Sequence, residues 1–174
     1  MIDPAIAALR PYRSVLVGFG VFLLLMGATA AALFVMKLGI SASDIEAYYR
    51  GSEARFTRPR TLTGLLEVAV PHLAAIPVVA FITLHLVTFA RVLDARFSRN
   101  LARLSFVVVA GSIAAGFAVR YVAPSLSWMK LLTFVAFEAL MAFWLGLVAR
   151  LIWRTYFTKA TLSIDRSKST PLAN

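Results

Sequence analysis

The chain has 174 residues, 60% of them hydrophobic and 15% charged, with a mean hydropathy of +0.82 and a formal net charge of +10. Soluble domains carry about 45–50% apolar and about 25% charged residues, so this balance excludes a soluble enzyme and a disordered chain and predicts a membrane-embedded protein. The positive charge must then sit at the ends of apolar spans.

In chain order, the first apolar run is 14–36, uncharged between Arg13 and Lys37. Crossing the hydrocarbon takes about 20 residues at 1.5 Å each. The run exceeds the apolar core of a signal peptide, and Leu38–Ser41 lacks a small-residue cleavage pattern, so it reads as a retained span. Residues 39–60 form the longest loop. Ser41–Asp44 is a capping sequence for a short helix through Ile45, Tyr48 and Tyr49. Such a helix suits either the membrane interface or a docking partner.

The second run, 61–90, holds one charge, Glu67, and both histidines, His72 and His85. Pro71 admits two readings. It either kinks a helix that starts near Thr61 and frees the carbonyl of Glu67, or it is the first residue of the helix, leaving 61–70 in the interface. Pro77 adds a second kink in either case. The third run, 104–119, is uncharged between Arg103 and Arg120, and snorkelling of those arginines extends it to about 101–123. The fourth, 131–149, holds only Glu138.

These runs predict an all-α integral membrane protein of four transmembrane helices in an up-down bundle. The spans fall at about 14–38, 61–90, 101–123 and 127–152, in a single domain 1–158, followed by a flexible polar tail over 159–174. Continuous apolar runs favour helices over a barrel, whose strands alternate in period two. Both termini and the second loop then share one side with eleven Lys and Arg, from Arg10 to Lys168. The other side has seven: Lys37, Arg50, Arg55, Arg58, Arg60, Arg120 and Lys130. The positive-inside rule puts both termini in the cytoplasm. The charges themselves read as topology and contact with anionic headgroups. Nucleic acid is not an expected partner, because no soluble basic module is present. With no cysteine, disulfides, thiolate-ligated zinc, iron–sulfur clusters and covalent haem are excluded.

Small residues mark packing faces: Gly20, Gly27, Ala28, Ala31 and Ala32 on the first span, and Ala110, Gly111, Ser112, Ala114, Ala115 and Gly116 on the third, with Ser112 and Gly116 as a small-xxx-small pair. They serve either the bundle or a second subunit.

Ionisable groups are costly inside a membrane and mark function. Glu67, His72 and Glu138 are therefore the candidate proton or polar site. Counted from Thr61 and Ser127, His72 and Glu138 each lie eleven residues in, so a carboxylate and an imidazole could share a proton at one level. A protonated Glu138 bonded to a backbone carbonyl is the plainer alternative. His72 and His85 are thirteen residues apart, a rise of about 20 Å that fits two stacked b-type haems on one helix. Their rings are about 140° apart on an ideal helix, however, and no other span has a histidine. A homodimer, or Met26 or Met141, would have to supply the second axial ligand. A hydrogen-bonded structural histidine needs none of this.

Two stretches, GLLEVAVPHLAAIPVVAFITLHLVTF (64–89) and RYVAPSLSW (120–128), resemble a group of small, poorly characterised four-helix bacterial inner-membrane proteins whose second helix bears Glu and His. The matching positions are Glu67, His72, Pro77, His85, Arg120, Tyr121 and Pro124. Relatives carry further histidines where this chain has Val70 and Ala123, which weakens a complete metal or haem site here. The resemblance implies a neighbourhood of electron-transfer proteins and brings no enzymatic activity with it. The resulting expectation is a non-catalytic membrane subunit that assembles with a larger electron-transfer complex, or with itself, in the bilayer. The alternatives are a b-type haem electron carrier using His72 or His85 as cofactor ligands, and a small proton-linked transporter using Glu67, His72 and Glu138. A transporter is expected to show matching broken helices, and no second half is evident.

Overall fold

The computed structural model describes residues 4–168, with side chains through Phe157. Its helices are α1 (Pro4–Leu9), α2 (Arg13–Leu38), α3 (Ala42–Arg50), α4 (Leu62–Phe89), α5 (Ala95–Tyr121) and α6 (Ser127–Lys168). Single 3₁₀ turns at Arg10–Tyr12 and Pro124–Leu126 lead into α2 and α6. Four of the helices are long and apolar enough to cross a membrane, and no strand occurs among the described residues. The expected four spans are therefore present. α6 continues as helix through 159–168, where a tail was expected, and 169–174 lie outside the described residues.

Local chemistry sets the boundaries. α2 ends at Gly39, whose φ of 78° favours glycine. Ser41 caps α3, its hydroxyl accepting from the Asp44 amide at 3.1 Å, and Gly51 (φ 82°) ends it. Thr61 caps α4 by accepting from the Gly64 amide at 3.1 Å. The helix therefore begins well before Pro71, which lies inside it together with Pro77. Asp94 caps α5 by accepting from the amides of Arg96 and Phe97, both at 2.8 Å. That cap starts α5 six residues before the expected span, because the first turns of the helix are charged and the apolar run begins later.

The bundle holds together in three apolar clusters. The largest joins Leu23 of α2, Ile76, Val79, Ala80, Leu84 and Val87 of α4, Leu101 and Val109 of α5, and Leu140, Met141, Leu147 and Val148 of α6 around the fully buried Trp144. At one end, α1 tucks Ile6 and Leu9 against Leu16, Ala90 and Leu151. At the other end, α3 inserts Ile45 and Tyr49 among Phe34, Leu65 and Val119. The α3 helix thus plugs one end of the bundle, with Ile45 and Tyr49 buried. α6 is the hub, packing on both α2 and α5, while α4 packs mainly on α5. α2 and α4 have almost no direct contact. Large exposed side chains such as Val21, Phe22, Leu25, Val70, Phe81, Phe106 and Trp153 face outward, as lipid-facing positions require.

Candidate binding cleft

The gap between α2 and α4 is a cleft of about 410 Å³ at the α3 end of the bundle. Ala30, Leu33, Phe34, Lys37 and Leu38 of α2 form one wall. Leu65, Glu67, Val68, Pro71, His72 and Ile76 of α4 form the other, and the floor comes from α5 and α6. The volume falls within the range of about 300–1,000 Å³ typical of small-molecule sites. Phe34 stacks on Phe134 in the floor, centroids 3.6 Å apart and planes within 6°. Pro71 and Pro77 lie where α4 passes from the packed core to the cleft wall.

Polar groups gather in this apolar cleft. Lys130 donates to the Ser112 carbonyl at 2.8 Å and to the Ser112 hydroxyl at 2.9 Å, and not to a carboxylate. Arg60 places its guanidinium 4.2 Å from the centre of the Tyr48 ring, and its backbone amide donates to Tyr49 O at 3.0 Å. Arg120 ties the same strand of chain down by donating to Arg60 O at 2.9 Å. Tyr49 is buried, and that burial pushes its phenol above the ordinary value of 10.0. Among the described residues the one ion pair joins Arg55 to Asp44, outside the cleft. Lys37, Arg60, Lys130 and Glu67 therefore line one cavity without pairing. Asp44 itself lies below the usual carboxylate range, first because the Ser41 hydroxyl donates to it (2.6 Å) and then because of Arg55.

The sequence candidates separate. Glu67 and His72 share the cleft, whereas Glu138 is not among its lining residues. Glu138 turns toward α2, with Oε2 3.8 Å from where a Gly27 Cβ would lie and Oε1 buried without a partner. The proton-sharing contact between His72 and Glu138 that equal depth suggested is not formed. His72 Nδ1 pairs instead with Val68 O at 2.6 Å, one of the carbonyls beside the proline-interrupted ladder. His85 lies in a different pocket, of about 320 Å³, between α4 and α5, stacked on Phe81 at 5.8 Å.

The donor set bears directly on haem. His72 and His85 face separate cavities, and neither cavity is lined by Met26 or Met141, which pack in the core. Among the described residues, neither methionine considered as a second axial ligand shares a cavity with a histidine. No group of three metal-ligating side chains occurs among the described residues.

The sequence marks Lys130, Arg60 and Lys37 only as charges at span ends and Ser112 only as a packing residue. The one sign that distinguishes Lys130 is position: it stands three residues inside a helix that starts at Ser127, within reach of Ser112.

A family model for a transmembrane helical domain, Aq_1264_TM, matches residues 39–160. The chain belongs to this family. The matched stretch runs from the loop before α3 into α6, so the α4–α6 walls of the cleft lie in the Aq_1264_TM domain and the α2 wall lies outside it. No curated protein and no solved structure gives a match. The family description agrees with a multi-pass membrane protein built of apolar helices.

Proposed function

We propose that this protein is a non-catalytic subunit of the bacterial inner membrane that works beside a larger electron-transfer complex, and that its own part is to hold an amphiphile in the α2–α4 cleft. The cleft carries the reading. It joins an apolar floor to a few convergent polar groups, the usual composition of a small-molecule site. It also lies between two membrane-length helices that leave each other's faces uncovered. The setting beside electron-transfer proteins, with both termini cytoplasmic, rests on the resemblance of 64–89 and on the loop charge.

Proton-linked transport has one observation in its favour, namely that Glu67 and His72 share the cleft. A b-type haem carrier has the histidines, but among the described residues neither Met26 nor Met141 shares a cavity with one. Two experiments test the proposal. Native mass spectrometry of protein taken gently from membranes should show amphiphile retained by the wild type and lost in Val68→Trp, which fills the rim at an exposed position. Equal retention by both would refute the cleft as the site. Affinity purification should bring a stoichiometric membrane complex and a flat dithionite-reduced minus oxidised spectrum. A stable lone monomer refutes the subunit reading, and a b-type α band would favour the haem carrier.

A further inference from the structure

We infer that the cleft selects an anionic amphiphile. A phosphate or carboxylate head is held by Lys130, Arg60 and Lys37, and the acyl part lies over the Phe34–Phe134 floor. This deepens the cleft reading above and rests on it. The charge balance is the first support. Three cations line the cavity against one carboxylate, Glu67, and none of the four is paired.

The state of Lys130 is the second. Its ammonium is inside a membrane-length helix and half-buried, yet both its hydrogen bonds go to neutral oxygens of Ser112. An ammonium has three donors, so one is left for a ligand. A charge in such a place is expensive unless an opposite charge meets it. Arg60 is the third. Its guanidinium lies on Tyr48 rather than on a carboxylate, which leaves its fork of donors free for a planar or tetrahedral anion.

The apolar half of the ligand has its own place. Leu33 and Val68, 48% and 53% exposed, flank the gap from opposite helices, so a chain can leave the cleft sideways into the bilayer. A neutral amphiphile would leave Lys130 uncompensated, and a cationic one would meet three like charges.

The test is a native mass-spectrometric titration of delipidated full-length protein in neutral detergent. The probes are phosphatidylglycerol and phosphatidylcholine of matched chains, oleate, and inorganic phosphate. Wild type should bind phosphatidylglycerol about tenfold more tightly than phosphatidylcholine. Lys130→Gln and Arg60→Gln should each weaken phosphatidylglycerol about fivefold and leave phosphatidylcholine unchanged. Arg103→Gln, an exposed cation outside both pockets, should change neither. Should Lys130→Gln fail to fold, Arg60→Gln keeps the test, because its exposed side chain lies on a loop, over the Tyr48 ring.

Competition by oleate supports an anionic head from a free fatty acid, and its failure to compete supports a phospholipid. Equal binding of the two phospholipids overturns charge selection while leaving the cleft as an amphiphile site. Retention of neither lipid overturns both readings. Binding of inorganic phosphate with no lipid retained overturns the amphiphile.

Discussion

Gly116→Ala is expected to be among the most damaging one-carbon changes in the protein. Gly116 is buried on α5, and a Cβ built there lies 2.9 Å from Tyr49 Oη and 3.2 Å from both Cε1 and Cζ. Real Cβ contacts are longer, so the Tyr49 ring must move. The ring is only 7% exposed, packed with Phe34, Leu65 and Val119. Overpacking of this kind costs about 1–3 kcal/mol, or roughly 2–4 °C of melting temperature per kcal/mol for a chain of this size.

Gly146→Ala is the internal control. Nothing lies within 4 Å of the Cβ it would add, and alanine is the better helix former by up to about 1 kcal/mol. Thermal unfolding of the purified protein in detergent should therefore move the two variants in opposite directions. Tyr49→Phe removes the closest atom but leaves the 3.2 Å carbons, so the double variant should recover part of the loss, with a coupling of about 0.5–3 kcal/mol. A Gly116→Ala protein as stable as Gly146→Ala, or strict additivity with Tyr49→Phe, would refute the reading of α3 as a plug seated on Gly116.

Glu138→Gln should cost less than about 1.5 kcal/mol, as a near-isosteric change, whereas Glu138→Lys should cost about 2.5–3.5 kcal/mol; equal, negligible losses on melting would show that this carboxyl does not face Gly27. Asp44 has a folded value depressed below 3.8 by the Ser41 hydroxyl and then Arg55, so its contribution is present above that value and is lost as pH falls through the folded one. Acid unfolding of Asp44→Asn should lack that step, and a profile identical to wild type would show that the Ser41–Asp44–Arg55 contacts do not hold α3. Tyr49 has the opposite sign. Its folded value is raised by burial, so stability is complete below 10.0 and falls as pH rises beyond it. Phenolate absorbance should show one tyrosine titrating late, and Tyr49→Phe should remove it; early titration of all five tyrosines would mean that Tyr49 is open to water.

The span positions were legible because a charge-free run of about twenty residues has few alternatives in a chain this apolar. α2 and α4 begin and end within a residue or so of 14–38 and 61–90. α3 was legible too, since Ser41 and Asp44 announce its cap. α1 was not recognised. It is six residues long, and its sign, Ile6 and Leu9 three apart, acquires meaning only when Leu151 and Ala90 arrive from distant parts of the chain. The pairing of polar residues was beyond sequence for a similar reason. Depth along a helix can be counted, as it was for His72 and Glu138, but azimuth depends on which neighbour each helix chooses. α4 turns His72 into the gap with α2, while α6 turns Glu138 onto Gly27.

The choice of neighbours explains the cleft. Built Cβ atoms on Gly20 and Gly27 would lie 3.5 Å from Ile152 Cδ1 and 3.9 Å from Met141 Cβ, so the small-residue face of α2 is spent on α6 and α2 follows α6 rather than α4. At one end the space this leaves is closed by the shared core of Leu23, Ile76 and Val79. At the other, α3 fills the top with Ile45 and Tyr49 and seats Tyr49 on Gly116, so the helices cannot collapse onto each other there. What α3 does not fill is the cavity beneath Tyr48 and Arg60, next to Lys130. A loop helix legible from its cap, and a lysine whose sequence position marks it only as a span-end charge, therefore define the site together. The charge left without an opposite partner at the cleft is therefore that of Lys130, whose hydrogen bonds go only to Ser112, whereas His72 already has a backbone partner.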